Sequence, residues 1–211
     1  MGRFLNSILV QSTLEEKGLN LFTLLEFQRL FNVSKIAARK FTESYTKKRL
    51  FERLKGGLFV LKHKRPSFYS IANKLYQPSY ISLETALSHY HLIPEVIYPM
   101  TSITTKPTRE FTALNNLFIY QRIKKQAFTG YAPAKDSYGK TILMAEQEKA
   151  IIDYLYFVSL GKKSINDRFD LRKLDKKKML EYAKLFKRPS LIKLAKQIYH
   201  DYATSYNPVI Y

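Results

Sequence analysis

The chain has 211 residues, 45% of them hydrophobic, with no cysteine, and its 36 Lys and Arg outnumber its 17 Asp and Glu to give a formal charge of +19. That length buries a core in one large domain or two small ones, the missing cysteine excludes disulfides, thiolate metal sites and cysteine nucleophiles, and no stretch approaches the roughly 20 apolar residues of a membrane span. The cation excess is uneven, with 15 Lys and Arg against 5 acids in residues 1–75, 8 against 7 in 76–160 and 13 against 5 in 161–211, and two basic ends around a near-neutral middle point to localised anionic contacts, nucleic acid first.

From the start of the chain, Leu5, Ile8, Leu9 and Leu14 recur at helical spacing and predict an amphipathic helix closing near Gly18. Met1 to Val10 lacks the apolar core and cleavage site of a signal peptide, so the expected compartment is the cytoplasm. Thr23 is placed to cap a second helix over Leu24–Phe31, and Asn32 and Val33 form a break. Ser34 is placed to cap a third helix running to about Lys48. Two short helices joined by a tight turn are the helix-turn-helix pattern.

On the third helix Ala38, Phe41 and Tyr45 form an inward stripe. Ile36, Lys40, Glu43 and Lys47 lie opposite, with Lys35 and Arg39 beside them. Lys35, Ile36, Arg39 and Lys40 suit base edges, while Lys47 and Lys48 suit phosphates. A solvated charged face is the competing reading of that stripe taken alone. Leu50–Leu54 and Leu58–Leu61 are β-prone runs around Lys55, Gly56 and Gly57, which predicts a hairpin. Placed directly after the third helix it reads as a wing, with Arg53 and Lys55 at its tip on the sugar-phosphate backbone. Lys62–Ser79 is basic and then turn-rich, with Pro66 and Pro78, which sets a boundary near residue 76. The expected fold class is α+β: a winged helix-turn-helix over 1–75 and a mixed α/β domain over 76–211 that ends in helices.

Beyond the boundary Ser82 is placed to cap a helix through His91. Val96–Thr105, Arg109–Leu114 and Leu117–Ile123 read as strands, and Ala145–Val158 as a strongly patterned helix. Asp175 is placed to cap a helix to Phe186, and Ser190 another through Tyr202, with Leu191, Leu194, Ala195, Ile198 and Tyr202 inward and Lys193 and Lys196 outward. Lys176, Lys177 and Lys178 are read first as a solvated run, and second as a contact for DNA or for an acidic partner.

His63, His89, His91 and His200 lack metal-ligand spacing, so no metal is expected. Gly56-Gly57 belongs to the hairpin, and no glycine-rich phosphate loop is present. Asp136, Glu146, Glu148, Lys149 and Asp153 are the one cluster that a metal-dependent nuclease would want. Lys149 and Asp153, however, stand at i, i+4 on a helix, and surface ion pairs are the ordinary outcome of that spacing.

Three blocks carry a resemblance: Tyr80 to Tyr90 (YISLETALSHY) followed by Leu92-Ile93-Pro94, Thr101 to Lys106 (TSITTK) with Arg109 and Phe111 behind it, and Ala145 to Asp153 (AEQEKAIID). In this order, behind Asn32–Leu61 as a winged helix, they resemble the AbiEi family, the antitoxins of AbiE abortive-infection systems of toxin–antitoxin type IV. The resemblance covers about residues 20–160. His91 stands where that family usually has glycine, and Arg49 where winged helices often do. The resemblance implies an N-terminal domain that represses its own operon at inverted repeats and a C-terminal, non-enzymatic domain that neutralises a co-encoded nucleotidyltransferase-like toxin. It also nominates Ser82, Arg109, Glu148, Lys149 and Asp153 as residues of the antitoxin domain, without a cofactor. The alternative is a stand-alone winged-helix regulator whose second domain binds a ligand or dimerises.

Overall fold

The computed structural model describes residues 5–206, with side chains through Tyr202, so the outermost ends of both expected domains lie outside the described residues. The class is α+β, with eight helices and two sheets among the described residues. The chain divides into two compact units after Ile71.

The first unit runs α1 (Ser7–Glu16), β1 (Leu21–Thr23), α2 (Leu24–Phe31), α3 (Lys35–Lys47), β2 (Phe51–Lys55) and β3 (Leu58–Leu61). Each helix starts where a side chain satisfies amides that would otherwise lack partners. Asn6 caps α1, Ser34 accepts from the Ala37 amide at the start of α3, and Thr23 and Glu26 form a reciprocal capping box on α2. The break after α2 is Asn32 in the left-handed region, φ 50°, and α3 ends on Arg49 at φ 63°. Both tolerate a conformation that usually selects glycine.

β1, missed in the sequence because three residues show no periodicity, pairs antiparallel with β3, and β3 with β2, giving the order β1-β3-β2. The Leu24 amide donates to the Gly57 carbonyl at 2.8 Å, which ties the start of α2 to the hairpin turn. Phe22, Phe27, Phe51 and Phe59 fill the centre. The Phe22 ring lies 5.2 Å from Phe51, 5.7 Å from Phe27 and 5.9 Å from Phe59.

In place of the expected turn-rich linker the chain forms α4 (Phe68–Leu75), so the division falls about four residues before the expected boundary and inside a helix. Phe68, Ile71, Ala72 and Leu75 have helical apolar spacing, and the Ser67 hydroxyl accepts from the Ser70 amide. The two flanking prolines obscure this short run in the sequence.

The second unit continues with β4 (Ser79–Ile81), α5 (Leu83–His89), β5 (Met100–Thr104), β6 (Arg109–Ala113), β7 (Asn116–Arg122), a 3-10 turn at Lys125–Ala127, β8 (Tyr131–Lys135), β9 (Thr141–Ala145), α6 (Gln147–Ser159), α7 (Lys176–Leu185) and α8 (Pro189–Tyr206). Its sheet has the order β6-β7-β5-β4-β9-β8. The antiparallel pair β4–β5 is central, and on each side a hairpin adds its second strand in parallel, β7 on β5 and β9 on β4.

The strand expected from Val96 shrinks to Met100–Thr104, since Pro94 and Pro99 bracket an irregular stretch in which Val96 and Tyr98 face solvent. α6 is enclosed by α5, α7 and α8, and every residue from Glu148 to Phe157 is buried. α7 begins at its Asp175 cap, and α8 buries Leu191 and Ala195 while Lys193 and Lys196 face out. No helix among the described residues is long and apolar enough to cross a membrane.

Phe22→Ala should cost about 3–5 kcal/mol of stability, through the transfer energy of the ring and a residual cavity, and Thr23→Ala about 1 kcal/mol. Urea unfolding of both variants checks the order, and a larger effect of Thr23→Ala would mean that the phenylalanine cluster is not the core of the first unit.

Candidate functional site

In the first unit α3 buries Ala38 and Thr42 and half-buries Phe41 and Tyr45, whose rings stack at 4.2 Å. The opposite side is therefore forced into solvent. Lys35, Ile36, Arg39, Lys40, Lys47 and Lys48 are all exposed, Ile36 at 69%. Lys48 extends over the Tyr45 ring at 5.0 Å.

Arg53 is not at the hairpin tip, where the sequence pattern predicts it. It stands inside β2, opposite Phe59 of β3, its guanidinium 5.7 Å over the Phe59 ring and 3.9 Å from Glu43 of α3. Lys55 ends β2 next to the tip, after a bulge that adds local twist to the strand. Glu43 also holds Arg39 at 3.2 Å. One exposed carboxylate thus links the cations of α3 to those of the hairpin. Because the group is solvated, the link is weak and easily exchanged for another anion.

In the second unit, the expectation of surface ion pairs on α6 is overturned. Lys149 and Asp153 are both fully buried and paired with each other, since α6 has no solvent side at that point. Ser82, expected to cap α5 with its side chain, makes no capping bond. Its hydroxyl donates to Asp153 Oδ2 at 2.8 Å, beside the Tyr80 hydroxyl at 2.9 Å. The third amide of α5, Thr85 N–H, donates instead to the Thr101 hydroxyl of β5.

Burial pushes the Asp153 carboxyl up and the Lys149 ammonium down, each toward its neutral form, against their mutual attraction. Lys149 Nζ also lies 5.5 Å from the Tyr80 ring centre and 5.0 Å from that of Phe186. Burial first, and then the Asp153 charge, raise the Tyr80 hydroxyl well above the usual tyrosine range.

Around this pair lies a half-buried polar layer. Glu146, at the N-cap position of α6, accepts from the Tyr182 hydroxyl, and Lys178 lies 3.2 Å from Glu146 and 3.4 Å from Glu148. Tyr182 crosses Gly130 so closely that a Cβ there would meet the ring at 2.7 Å, and Gly130 also has φ 74°. The lysine run is not uniformly solvated: Lys178 serves this layer and Lys176 lies 5.0 Å over the Tyr199 ring.

Asp136 is spent on its own turn, accepting from the Tyr138 and Lys140 amides. Among the described residues no group of three His, Asp or Glu is placed to hold a metal. Arg109 is not part of the Asp153 cluster. It pairs across β6–β7 with Tyr120, whose side chain lies on the face of the sheet opposite Tyr80.

Sequence reasoning brings Ser82, Glu148, Lys149 and Asp153 into view but misses Tyr80, Gly130, Lys178 and Tyr182 as their partners. The only available signal is that Tyr80 alternates with Ser82 along one strand direction. Compared with models of known protein families and with curated protein sequences, the chain matches none.

Lys149→Met leaves a buried carboxylate unpaired and should cost about 3–5 kcal/mol, whereas adding Asp153→Leu should recover much of that stability. Denaturant midpoints of the single and double variants test this, and additive effects would mean that the two groups do not act as a pair. Glu146 is held below the usual carboxylate range, first by the Tyr182 hydrogen bond and then by Lys178. Its contribution to stability should therefore be present above about pH 4.5 and vanish as pH falls through the lower folded value. Tyr182→Phe should flatten that acid limb in thermal melts taken as a function of pH.

Proposed function

We propose that the first unit is a winged helix-turn-helix that binds operator DNA, with α2 and α3 as the helix pair, α3 as the recognition helix and β2–β3 as the wing. The observation that carries this reading is the outward face of α3, where Lys35, Ile36, Arg39, Lys40 and Lys47 stand together, joined through Glu43 to Arg53 of the hairpin. Guanidinium and ammonium groups around one apolar contact are what base edges and phosphates require. In this account Lys47, Lys48, Arg53 and Lys55 meet phosphates, and a phosphate arriving at Arg39 and Arg53 displaces Glu43.

Together with the resemblance of the second unit to AbiEi antitoxins, this makes the protein a cytoplasmic antitoxin of an abortive-infection toxin–antitoxin system that represses its own operon at inverted repeats. Its second unit opposes a nucleotidyltransferase-like toxin. His91, where the family usually has glycine, has φ 57°, and Arg49, where winged helices often do, has φ 63°, so both departures keep a backbone that glycine would adopt readily. Neither unit is assigned a catalytic role.

Arg39→Ala or Lys40→Ala should weaken binding to the upstream operator by about 1–3 kcal/mol and binding to random duplex by less. Lys47→Ala should weaken both alike and flatten the salt dependence. Gel shifts over a salt series measure all three, and equal weakening on operator and random DNA would remove base reading from α3. In cells carrying the co-encoded toxin, the Arg39→Ala, Lys40→Ala double variant should still relieve growth arrest when expressed from a foreign promoter. Failure to relieve it would assign the antitoxic effect to DNA binding and favour a regulator without a toxin-directed domain.

A further inference from the structure

The near-neutral charge of residues 76–160 conceals a strongly basic stretch. Between residues 106 and 125 there are five cations, Lys106, Arg109, Arg122, Lys124 and Lys125, and one carboxylate, Glu110. The fold sorts them. Arg109 and Phe111 alternate onto one face of β6, the edge strand of the six-stranded sheet, and Glu110 points to the other face.

On the Arg109 face, the guanidinium lies 5.3 Å over the Phe111 ring, Phe111 is 5.5 Å from Tyr76, and Lys106 lies 5.4 Å over the Tyr76 ring. The Tyr76 hydroxyl donates to the Pro107 carbonyl at 3.1 Å, fixing the loop that carries Lys106. Both rings are half-buried against Tyr120, while Lys106, Arg109 and Arg122 are exposed and without a carboxylate partner among the described residues. The result is a run of cation, ring, ring, cation.

We propose that this run is a binding site for single-stranded nucleic acid, separate from the duplex-binding face of the first unit. A guanidinium held over a ring and facing solvent keeps its N–H fork available, and guanidinium planes take an unpaired base while the fork takes a phosphate. The rings also hold the two long cationic stems in place, lowering the entropy cost of binding. Duplex DNA hides its base faces, so the aromatic part of the site discriminates for the unpaired form.

The test uses the full chain carrying Lys47→Ala and Lys48→Ala, which removes two of the phosphate contacts assigned to the first unit, and a fluorescent oligo-uridine of about a dozen nucleotides, the span of such sites. Lys106→Ala with Arg109→Ala should weaken binding roughly tenfold and reduce the salt slope by about 0.7 for each phosphate no longer neutralised. Phe111→Leu should weaken it several-fold without changing that slope. Lys193→Ala with Lys196→Ala, an equal reduction of charge on the exposed face of α8, should leave it unchanged. An equal weakening in that control would reduce the site to net charge and overturn the proposal. A silent Phe111→Leu, with polyglutamate competing as well as the oligonucleotide, would identify an acidic protein surface as the ligand and overturn it too. Photocrosslinking of the unsubstituted protein with thiouridine-containing RNA gives a readout free of folding effects. Crosslinks between Tyr76 and Arg122 are expected, and crosslinks confined to α3 and the hairpin would refute the site whether or not α3 reads an operator.

Discussion

A carboxylate removed from water has to receive its hydrogen bonds from the protein, and the second unit is organised around that requirement at Asp153. Its donors come from three places in the chain: Tyr80 on β4, Ser82 at the entrance to α5, and Lys149 one turn back on α6. None is satisfied elsewhere among the described residues in a way that would let it leave. Removing the pair in favour of apolar side chains would cost little in principle, but these bonds tie α6 to β4 and to the start of α5. At the rim of the same helix lie Glu146, Tyr182 and Lys178, with Tyr182 passing close over Gly130.

The first unit solves a different problem. It is small, and it replaces polar specification with aromatic mass: four phenylalanines from β1, α2, β2 and β3 meet at ring distances that leave little freedom of rotation. The packed core beneath α3 fixes the backbone positions from which its exposed cations project. Glu43 lies among those cations as a resident anion. Any polyanion that binds there must compete with it, so it tunes affinity downward in favour of partners that supply more than one charge.

Capping residues make several helices of both units legible in the sequence. Thr23, Ser34 and Asp175 announce helix starts by a local chemistry that needs no tertiary context. The misreadings have the opposite character. Ser82 has the residue type and position of a cap, yet a buried carboxylate seventy-one residues away claims its hydroxyl. Lys149 and Asp153 have the spacing of a surface pair, and only the wrapping of α6 by α5, α7 and α8 places them inside. Strands of three residues, such as β1 and β4, carry no period, and the proline in β8 argues against a strand until its place at the sheet edge is known. Regional charge averages conceal the basic face of β6 for a related reason, since alternation in a strand separates neighbours that a window adds together.

The open edges of the six-stranded sheet have one further consequence. An unprotected edge strand is a template on which another chain can add itself, and the growth of such stacks is limited only by what the edge presents. Here β8 offers Pro133, which lacks an amide to donate, and closes on Lys135, while β6 offers the adjacent opposite charges Arg109 and Glu110. Two copies brought edge to edge would set proline against a ladder at one border and would have to accommodate the charged pair Arg109 and Glu110 at the other. Open-ended polymerisation through the sheet is thereby discouraged at both ends, in a molecule whose charge of +19 already keeps its copies apart in dilute salt.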